Sequence, residues 1–397
     1  MPVPLSRRGS GTILLVNHHA LEPGGAETYL LCLAEGLSGM GERVVVTWNR
    51  NRTVPEGPDG RPLANIEWIR QDYHGERDIR RRLLLSLSRF GPGRDMARLC
   101  GEISPGIVHV NQIYEGDGID LIRGALGYGR APVFGTIHLR ADPPTANRML
   151  QKGKTILLKS CFRRFPYRKI FPSSNQRDGF ARIYGDDGRL HVVPNGIRML
   201  PVPSEEETLL RKEALGLKEK IVVAYAGRIA REKGADILTE AFLRASTSVP
   251  QLFLLVVGEG PARGWMEARL READGRGNWM ITGWIPSVRD YLCAADLVLL
   301  PTRFDIMSYS VVEALSLGIP CLVTKYEGLD EIIMRGAKVE VADRVDADSF
   351  AESLTRILPR IDSCRERART NLETVRRNFD LRGMAETTAR LYFGGRS

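Results

Sequence analysis

Short runs of Ile, Val and Leu alternate with amphipathic segments along nearly the whole chain, and the series occurs twice. In the first half, residues 12–16, 44–47, 66–69, 107–110, 133–137, 170–173 and 192–193 read as strands. In the second half, residues 221–226, 252–257, 279–282, 297–300, 321–324 and 339–341 do so. Helical spacing appears between most of them, for example over 26–39, 235–245 and 309–318. Alternation of this kind predicts parallel sheets with helices on both faces. Two series predict two doubly wound α/β domains, and 397 residues are enough for a core in each. Pro201 and Pro203 disfavour helix and central strand, and the acidic run 205–207 suits a helix start, so the boundary falls near 199–205. The expected division is 1–199, 200–375 and a C-terminal helix over 376–397. Leu381, Met384, Ala385, Leu391 and Tyr392 share one face of that helix, which must therefore dock.

The most informative local stretch is Ala224-Tyr-Ala-Gly-Arg-Ile-Ala-Arg-Glu-Lys-Gly-Ala-Asp-Ile-Leu238. An apolar strand ends at Gly227 and delivers Arg228 and Lys233 into the loop before a helix. Strand carboxyl ends face the crevice of an open α/β sheet, and a helix start offers unpaired N–H groups with a positive dipole end. Gly227 lets backbone approach a ligand, Arg228 can fork onto phosphate oxygens, and Lys233 adds a compact charge. The pattern suits a diphosphate. It also fits a helix that merely begins near two surface cations. A second stretch, residues 301–320, repeats the logic. A strand runs into a loop bearing Asp305, a helix opens near Ser308 and carries Glu313, and Gly318 with Pro320 ends it. Glu313 could accept from two ribose hydroxyls, as acids do in nucleotide folds, and Asp305 could hold hydroxyls of a second sugar. The plainer reading makes Glu313 a turn cap and Asp305 a solvated loop acid.

Net charge is +9, and arginine far outnumbers lysine, with no lysine before Lys152. The bias fits genome composition; read functionally, it attracts anions such as phosphorylated donors or anionic lipid. No basic strand with interleaved aromatics and no zinc-finger spacing appears, which argues against nucleic acid. Cys32, Cys100, Cys161, Cys293, Cys321 and Cys364 are scattered without a Cys-x-x-Cys pair, against a zinc site or disulfide framework and in keeping with a reducing, cytoplasmic compartment. The apolar run near the amino terminus is too brief for a secretion signal. No apolar stretch approaches the roughly 20 residues that span a bilayer.

With these motifs in hand, the chain resembles the GT-B glycosyltransferases, specifically the retaining family-4 group (glycosyltransferase group 1 type). The resemblance rests on Gly24-Gly-Ala-Glu27, Thr136-Ile-His138, Val193-Pro-Asn-Gly-Ile197, Gly227-Arg228 with Lys233-Gly234, Val257-Gly-Glu-Gly-Pro261, Thr282-Gly-Trp284 and the segment from Asp305 to Glu313. Each is short; their order and spacing together are specific. The resemblance implies two Rossmann-like domains facing across a cleft, an acceptor-binding first domain, a donor-binding second domain and a last helix packed back on the first. It implies a UDP- or GDP-linked sugar as donor and a hydroxyl of a glycan, lipid-linked glycan or small metabolite as acceptor. Arg228 and Lys233 match the pair that neutralises the diphosphate, and Glu313 matches the acid on the donor ribose. Asp305 stands where glutamate usually contacts the transferred sugar, and His138 matches a histidine that reaches that sugar. Gly24 and Gly25 match a backbone contact to the phosphates, Gly227, Ser308, Tyr309 and Ser310 fall in the phosphate loops, and Gly283 with Trp284 lie where the base is held. Three departures leave the sugar open: Asp305 is one methylene short, Ser308 replaces a glycine, and Arg198 replaces a common aspartate.

The implied reaction needs no enzymic nucleophile, no cofactor and no obligatory metal, because the two cations absorb the charge that grows on the leaving diphosphate. Asp346-Ala-Asp348 has the form of a metal-binding pair but precedes a helix, so capping explains it better. His18 and His19 follow the first strand, where inverting GT-B enzymes keep a general base, so inversion stays an alternative. The acceptor-binding candidates are His18, His19, Asn111 and Arg140, with Asp117 able either to bind hydroxyls or to turn the chain. The basic, leucine-rich segment 77–90, with Arg80 to Arg82, and the run 159–169, with Arg163, Arg164 and Arg168 among Phe162, Phe165 and Tyr167, each read as an ordinary helix or as a peripheral contact with anionic membrane. Two further functions compete with transfer: a nucleotide-sugar epimerase or hydrolase on the same fold, and a non-catalytic nucleotide-sugar-binding protein.

Overall fold

The computed structural model describes residues 11–17, 24–49, 63, 65–71, 92–138, 148–273, 275, 277–285 and 287–394. The chain divides into two compact units, one of residues 1–196 with 381–397 and one of 197–380.

The first unit is a parallel sheet with helices in its connections. In chain order it runs β1 (Ile13–Asn17), α1 (Gly25–Gly39), β2 (Val44–Asn49), β3 (Ile66–Gln71), α2 (Pro92–Ile103), β4 (Ile107–Gln112) and α3 (Ile119–Tyr128). It continues through β5 (Val133–Ile137), α4 (Arg148–Arg164), β6 (Arg168–Phe171), α5 (Ser174–Tyr184) and β7 (Leu190–Val192). The sheet order is β3-β2-β1-β4-β5-β6-β7. Order reverses between β1 and β4, where Asn17 lies opposite Asn111 at the strands' carboxyl ends. β1, β4 and β5 are buried along their whole length, which is why their sequences are apolar runs rather than alternations.

The second unit opens on α6 (Glu205–Ala214), whose first turn is capped by Ser204, its hydroxyl accepting from Glu207 N–H at 3.0 Å. There follow β8 (Ile221–Ala226), α7 (Ala235–Ser248), β9 (Leu252–Val257), α8 (Arg263–Ala273), β10 (Trp279–Ile281), α9 (Arg289–Leu292), β11 (Leu297–Leu300) and α10 (Tyr309–Ser316). The rest is β12 (Cys321–Val323), α11 (Leu329–Met334), β13 (Glu340–Val341), α12 (Ala347–Ile357) and α13 (Ile361–Asn378). Its strands are all parallel in the order β10-β9-β8-β11-β12-β13, reversing between β8 and β11. Both sheets are therefore doubly wound, as the alternation predicts.

The last helix, α14 (Leu381–Phe393), belongs to the first unit. It lies close against α1 because both faces are small there: a Cβ on Gly36 would sit 2.6 Å from that of Ala385. The break expected at 375/376 falls instead at 380/381, since α13 runs without a stop signal to Asn378. The break expected at 199/200 falls at 196/197; Ile197 N–H donates to Phe379 O at 2.7 Å, which pulls it into the second unit.

Candidate functional site

In the second unit the reversal of strand order leaves the carboxyl ends of β8 and β11 side by side. β8 delivers Gly227 and Arg228. A single 3-10 turn (Arg231–Lys233) then intervenes before α7, so Lys233 is presented from a turn rather than from the helix itself. Gly234 joins the two with φ 77°, packed so closely on Pro301 that a Cβ would run into its carbonyl oxygen. The backbone of Arg228 is braced from beneath: the Tyr225 hydroxyl donates to its carbonyl at 2.7 Å. From the neighbouring strand, β11, the chain enters the loop of Asp305. Lys233 Nζ lies 2.9 Å from Asp305 Oδ2 and 3.3 Å from Phe304 O. Arg303 clamps the same loop by a two-pronged bond to Asp236, at 2.6 and 2.9 Å. The Ser310 hydroxyl donates to Ala226 O, tying the first turn of α10 to the end of β8.

The structure thus brings Gly227, Arg228, Lys233, Asp305 and the start of α10 together. Both cations have internal counter-ions: Arg228 pairs with Glu232 and Lys233 with Asp305. The first pair is about half exposed on each side, so water screens it and it costs little to open. Ser308 is buried at the N-cap of α10, and its hydroxyl makes no cap bond. Glu313 lies one turn inside α10. Its carboxylate meets no hydrogen-bond donor among the described residues, and burial alone pushes its pKa up to about 7. An acid held this way gains most from hydroxyls that donate to it. Gly283 has φ 78° and bridges to Gly258, while Trp284 is 64% exposed beside it.

In the first unit, α1 begins at exposed Gly25, and the Glu27 carboxylate accepts from Gly24 N–H at 3.0 Å. His138 follows β5 directly. Its Nε2 is 2.7 Å from Asn111 Oδ1, and Asn111 Nδ2 donates to Ala26 O at 3.0 Å. Below them runs a second buried chain. The Tyr29 hydroxyl is 2.8 Å from Thr136 Oγ1, which is 2.8 Å from His109 Nε2, while His109 Nδ1 meets the Tyr392 hydroxyl of α14. Burial lowers the pKa of both His109 and His138 to about 3, so each is a neutral imidazole at physiological pH.

Of the acceptor-binding candidates, Asn111 lies among the described residues. Read as an acceptor-binding residue, it is fully buried with both ends of its amide spent inside the unit. His18, His19 and Arg140 lie outside the described residues, as does the segment 77–90. In the run 159–169, Phe162 and Tyr167 are buried core residues, Phe165 and Arg168 are half-buried, and Ser160, Arg163, Arg164 and Pro166 are exposed. Asp346 caps α12, with Oδ1 accepting from Ser349 N–H at 2.8 Å. No disulfide joins the six cysteines. Among the described residues no three His, Cys, Asp or Glu side chains gather as a metal site, and no helix is long and apolar enough to cross a membrane. Sequence reasoning missed Glu232 as the counter-ion of Arg228, although their spacing of four residues was the available signal. It also missed the Tyr225 brace and the His109–Tyr392 contact, which have no local signature.

Comparison with known proteins agrees with this arrangement. Residues 207–371 match the family described as Glycosyl transferases group 1, and residues 23–199 match Glycosyltransferase Family 4. TuaC of Bacillus subtilis, named as a teichuronic acid biosynthesis glycosyltransferase, is 32% identical over 194 residues, which is 48% of this chain and 46% of that protein. The chain spans about half the length of the curated relatives it matches. Anabaena HepE, solved in complex with UDP-glucose, superposes with a TM-score of 0.75 at 17% identity, over 96% of this chain and 99% of that one. Sucrose-phosphate synthase from Thermosynechococcus elongatus gives 0.76 at 20%, over 97% and 98%. These likenesses establish the fold, GT-B.

Proposed function

We propose that this chain, which belongs to the family-4 glycosyltransferases of the group 1 type, moves a sugar from a nucleoside diphosphate to a hydroxyl with retention of anomeric configuration. The donor is a UDP- or GDP-linked sugar, and the acceptor is a glycan, a lipid-linked glycan or a small metabolite. One observation carries the reading: Arg228 and Lys233 stand at the switch point of the second unit, each on an acid that a diphosphate can replace.

In this reading the diphosphate takes Arg228 from Glu232 and Lys233 from Asp305. Asp305 is thereby released to accept from hydroxyls of the transferred sugar. Glu313 accepts from the ribose, the backbone of Gly227, Ser308, Tyr309 and Ser310 lines the phosphates, and Gly283 with Trp284 holds the base. The first unit supplies backbone at Gly24 and Gly25 and the imidazole of His138 for a sugar hydroxyl, as the family resemblance implies. When the bond from the anomeric carbon to the phosphate oxygen breaks, its electron pair stays on that oxygen. The two cations stabilise the resulting charge more in the transition state than in the ground state. The departing oxygen then takes the acceptor's proton on the same face on which the acceptor oxygen bonds to carbon.

The test is a panel of nucleotide sugars, with free nucleotide followed with and without acceptors. Acceptor-dependent release supports transfer. Equal release without acceptor would make the chain a hydrolase, and binding without release a carrier protein. Proton NMR of the product's anomeric centre checks the stereochemistry, and inversion overturns the mechanism.

A further inference from the structure

Two contacts orient Asn111 without ambiguity. Ala26 O can only accept, so the group 3.0 Å from it is the amino end of the amide, and the oxygen end must face His138. That oxygen lies 2.7 Å from His138 Nε2. An amide oxygen can only accept as well, so Nε2 carries a proton. A neutral imidazole has one N–H, and here it is spent on Asn111. His138 Nδ1 is therefore a bare lone pair, and it meets no hydrogen-bond partner among the described residues. The ring cannot readily turn to change this. It is 7% exposed, with the Tyr29 ring packed against it in a T-shaped arrangement at a centroid separation of 4.7 Å, and the Tyr29 hydroxyl is itself held by Thr136.

We infer that Asn111 is a positioning residue that fixes His138 as the Nε2–H tautomer, so that Nδ1 can only accept and the transferred sugar must offer it a hydroxyl rather than a carboxylate. The same amide grips the first turn of α1 one residue beyond Gly25, coupling the imidazole to the glycines at that helix start. A carboxylate at Nδ1 would set negative charge against a lone pair. A deoxy sugar would leave Nδ1 desolvated and unpaired, the kind of loss that sites built for a hydroxyl punish most. The inference rests on the reading above that His138 takes a sugar hydroxyl.

The test uses the full chain labelled with 15N. Histidine ring spectra at neutral pH, with His138 assigned by its absence in His138→Gln, should show a protonated Nε2 and an unprotonated Nδ1. A protonated Nδ1, alone or in an imidazolium, overturns the inference. Asn111→Ala should mix the tautomers and cut kcat/KM for a hexose donor by about tenfold to a hundredfold, by analogy with losing the partner that orients a metal-bound histidine. It should also erode the preference for that donor over the matching hexuronate. Undiminished discrimination in Asn111→Ala counts against the inference. A wild-type chain that releases nucleotide from no donor strikes at the transfer reading alone, and the spectrum still decides the role of Asn111.

Discussion

At the scale of single residues, charge and its counter-charge organise the site. On the proposed mechanism, Arg228→Ala or Lys233→Ala removes one of two cations from the growing charge on the leaving group. Each should raise the barrier by about 2.7–4 kcal/mol, seen as a lower kcat and not only a higher KM. Near-normal turnover in either variant would remove that residue from the chemistry. In its proposed role on the donor ribose, Glu313 predicts a pH effect on nucleotide binding. With its pKa pushed to about 7, the carboxyl is increasingly protonated below neutrality, while ribose hydroxyls favour the ionised form. Affinity for UDP or GDP should therefore weaken as pH falls from 8 to 6, by at most about tenfold per pH unit. Calorimetry should register proton release on binding, and Glu313→Gln should flatten both signals. A wild-type affinity constant across that range would sink this role. The loop and helix-start positions of the cations and both acids were legible because a glycine, a charge and a helix start recur at fixed offsets. Asn111 was not, because an amide at a strand end looks the same whether it faces a ligand or another part of the chain.

At the scale of elements, backbone fit decides what can be presented. Gly234 lets the turn of Lys233 run into α7 only because it lacks a side chain. Its φ of 77° alone costs an alanine about 1–3 kcal/mol, and the collision with Pro301 adds to that. Gly234→Ala should lower the urea midpoint and weaken nucleotide binding together; a variant of unchanged midpoint and affinity would contradict the packing. In the first unit, α14 is pinned by the Tyr392 hydroxyl on His109 and by its ring against Phe134 at 4.7 Å. Tyr392→Phe keeps the ring and strands a buried imidazole nitrogen, which should cost about 1–3 kcal/mol in chemical denaturation. The strands could be read because sequences buried on both faces leave unbroken apolar runs. The 3-10 turn before α7 could not, since three residues carry no periodicity. The length of α13 was misjudged for a related reason: its charged sequence has no glycine or proline to mark an end.

At the scale of the whole molecule, the two units should answer pH in opposite senses. In the first, His109 and His138 are neutral in the fold with pKa values near 3, against an ordinary 6.5. Unfolding lets both take up protons, so this stability is complete above pH 6.5 and is lost as pH falls below it. At pH 5 the pair accounts for about 4 kcal/mol, a figure set by the unfolded value so long as the folded one stays well below 5. His191, also lowered by burial and by Arg168, adds to the same trend. In the second unit Glu313 is raised from 4.5 to about 7, so the fold binds the proton more tightly than the unfolded chain does. Its contribution is whole below pH 4.5 and declines as pH rises to about 7. Taken together these groups predict that acidification from pH 7.5 to 5 weakens the first unit while leaving the second as stable or more so. Hydrogen exchange followed by mass spectrometry separates the two, because peptides from β4 and β5 and peptides from β8 and β11 report on different units. Protection should fall at pH 5 in the first set, after correction for the intrinsic exchange rate, and hold in the second. Equal loss in both sets would mean that His109 and His138 do not govern acid stability. This asymmetry had no counterpart in composition: six histidines are unremarkable, and burial, of His109 inside β4 and of His138 just after β5, is what makes these two acid-sensitive, with His191 adding a smaller share.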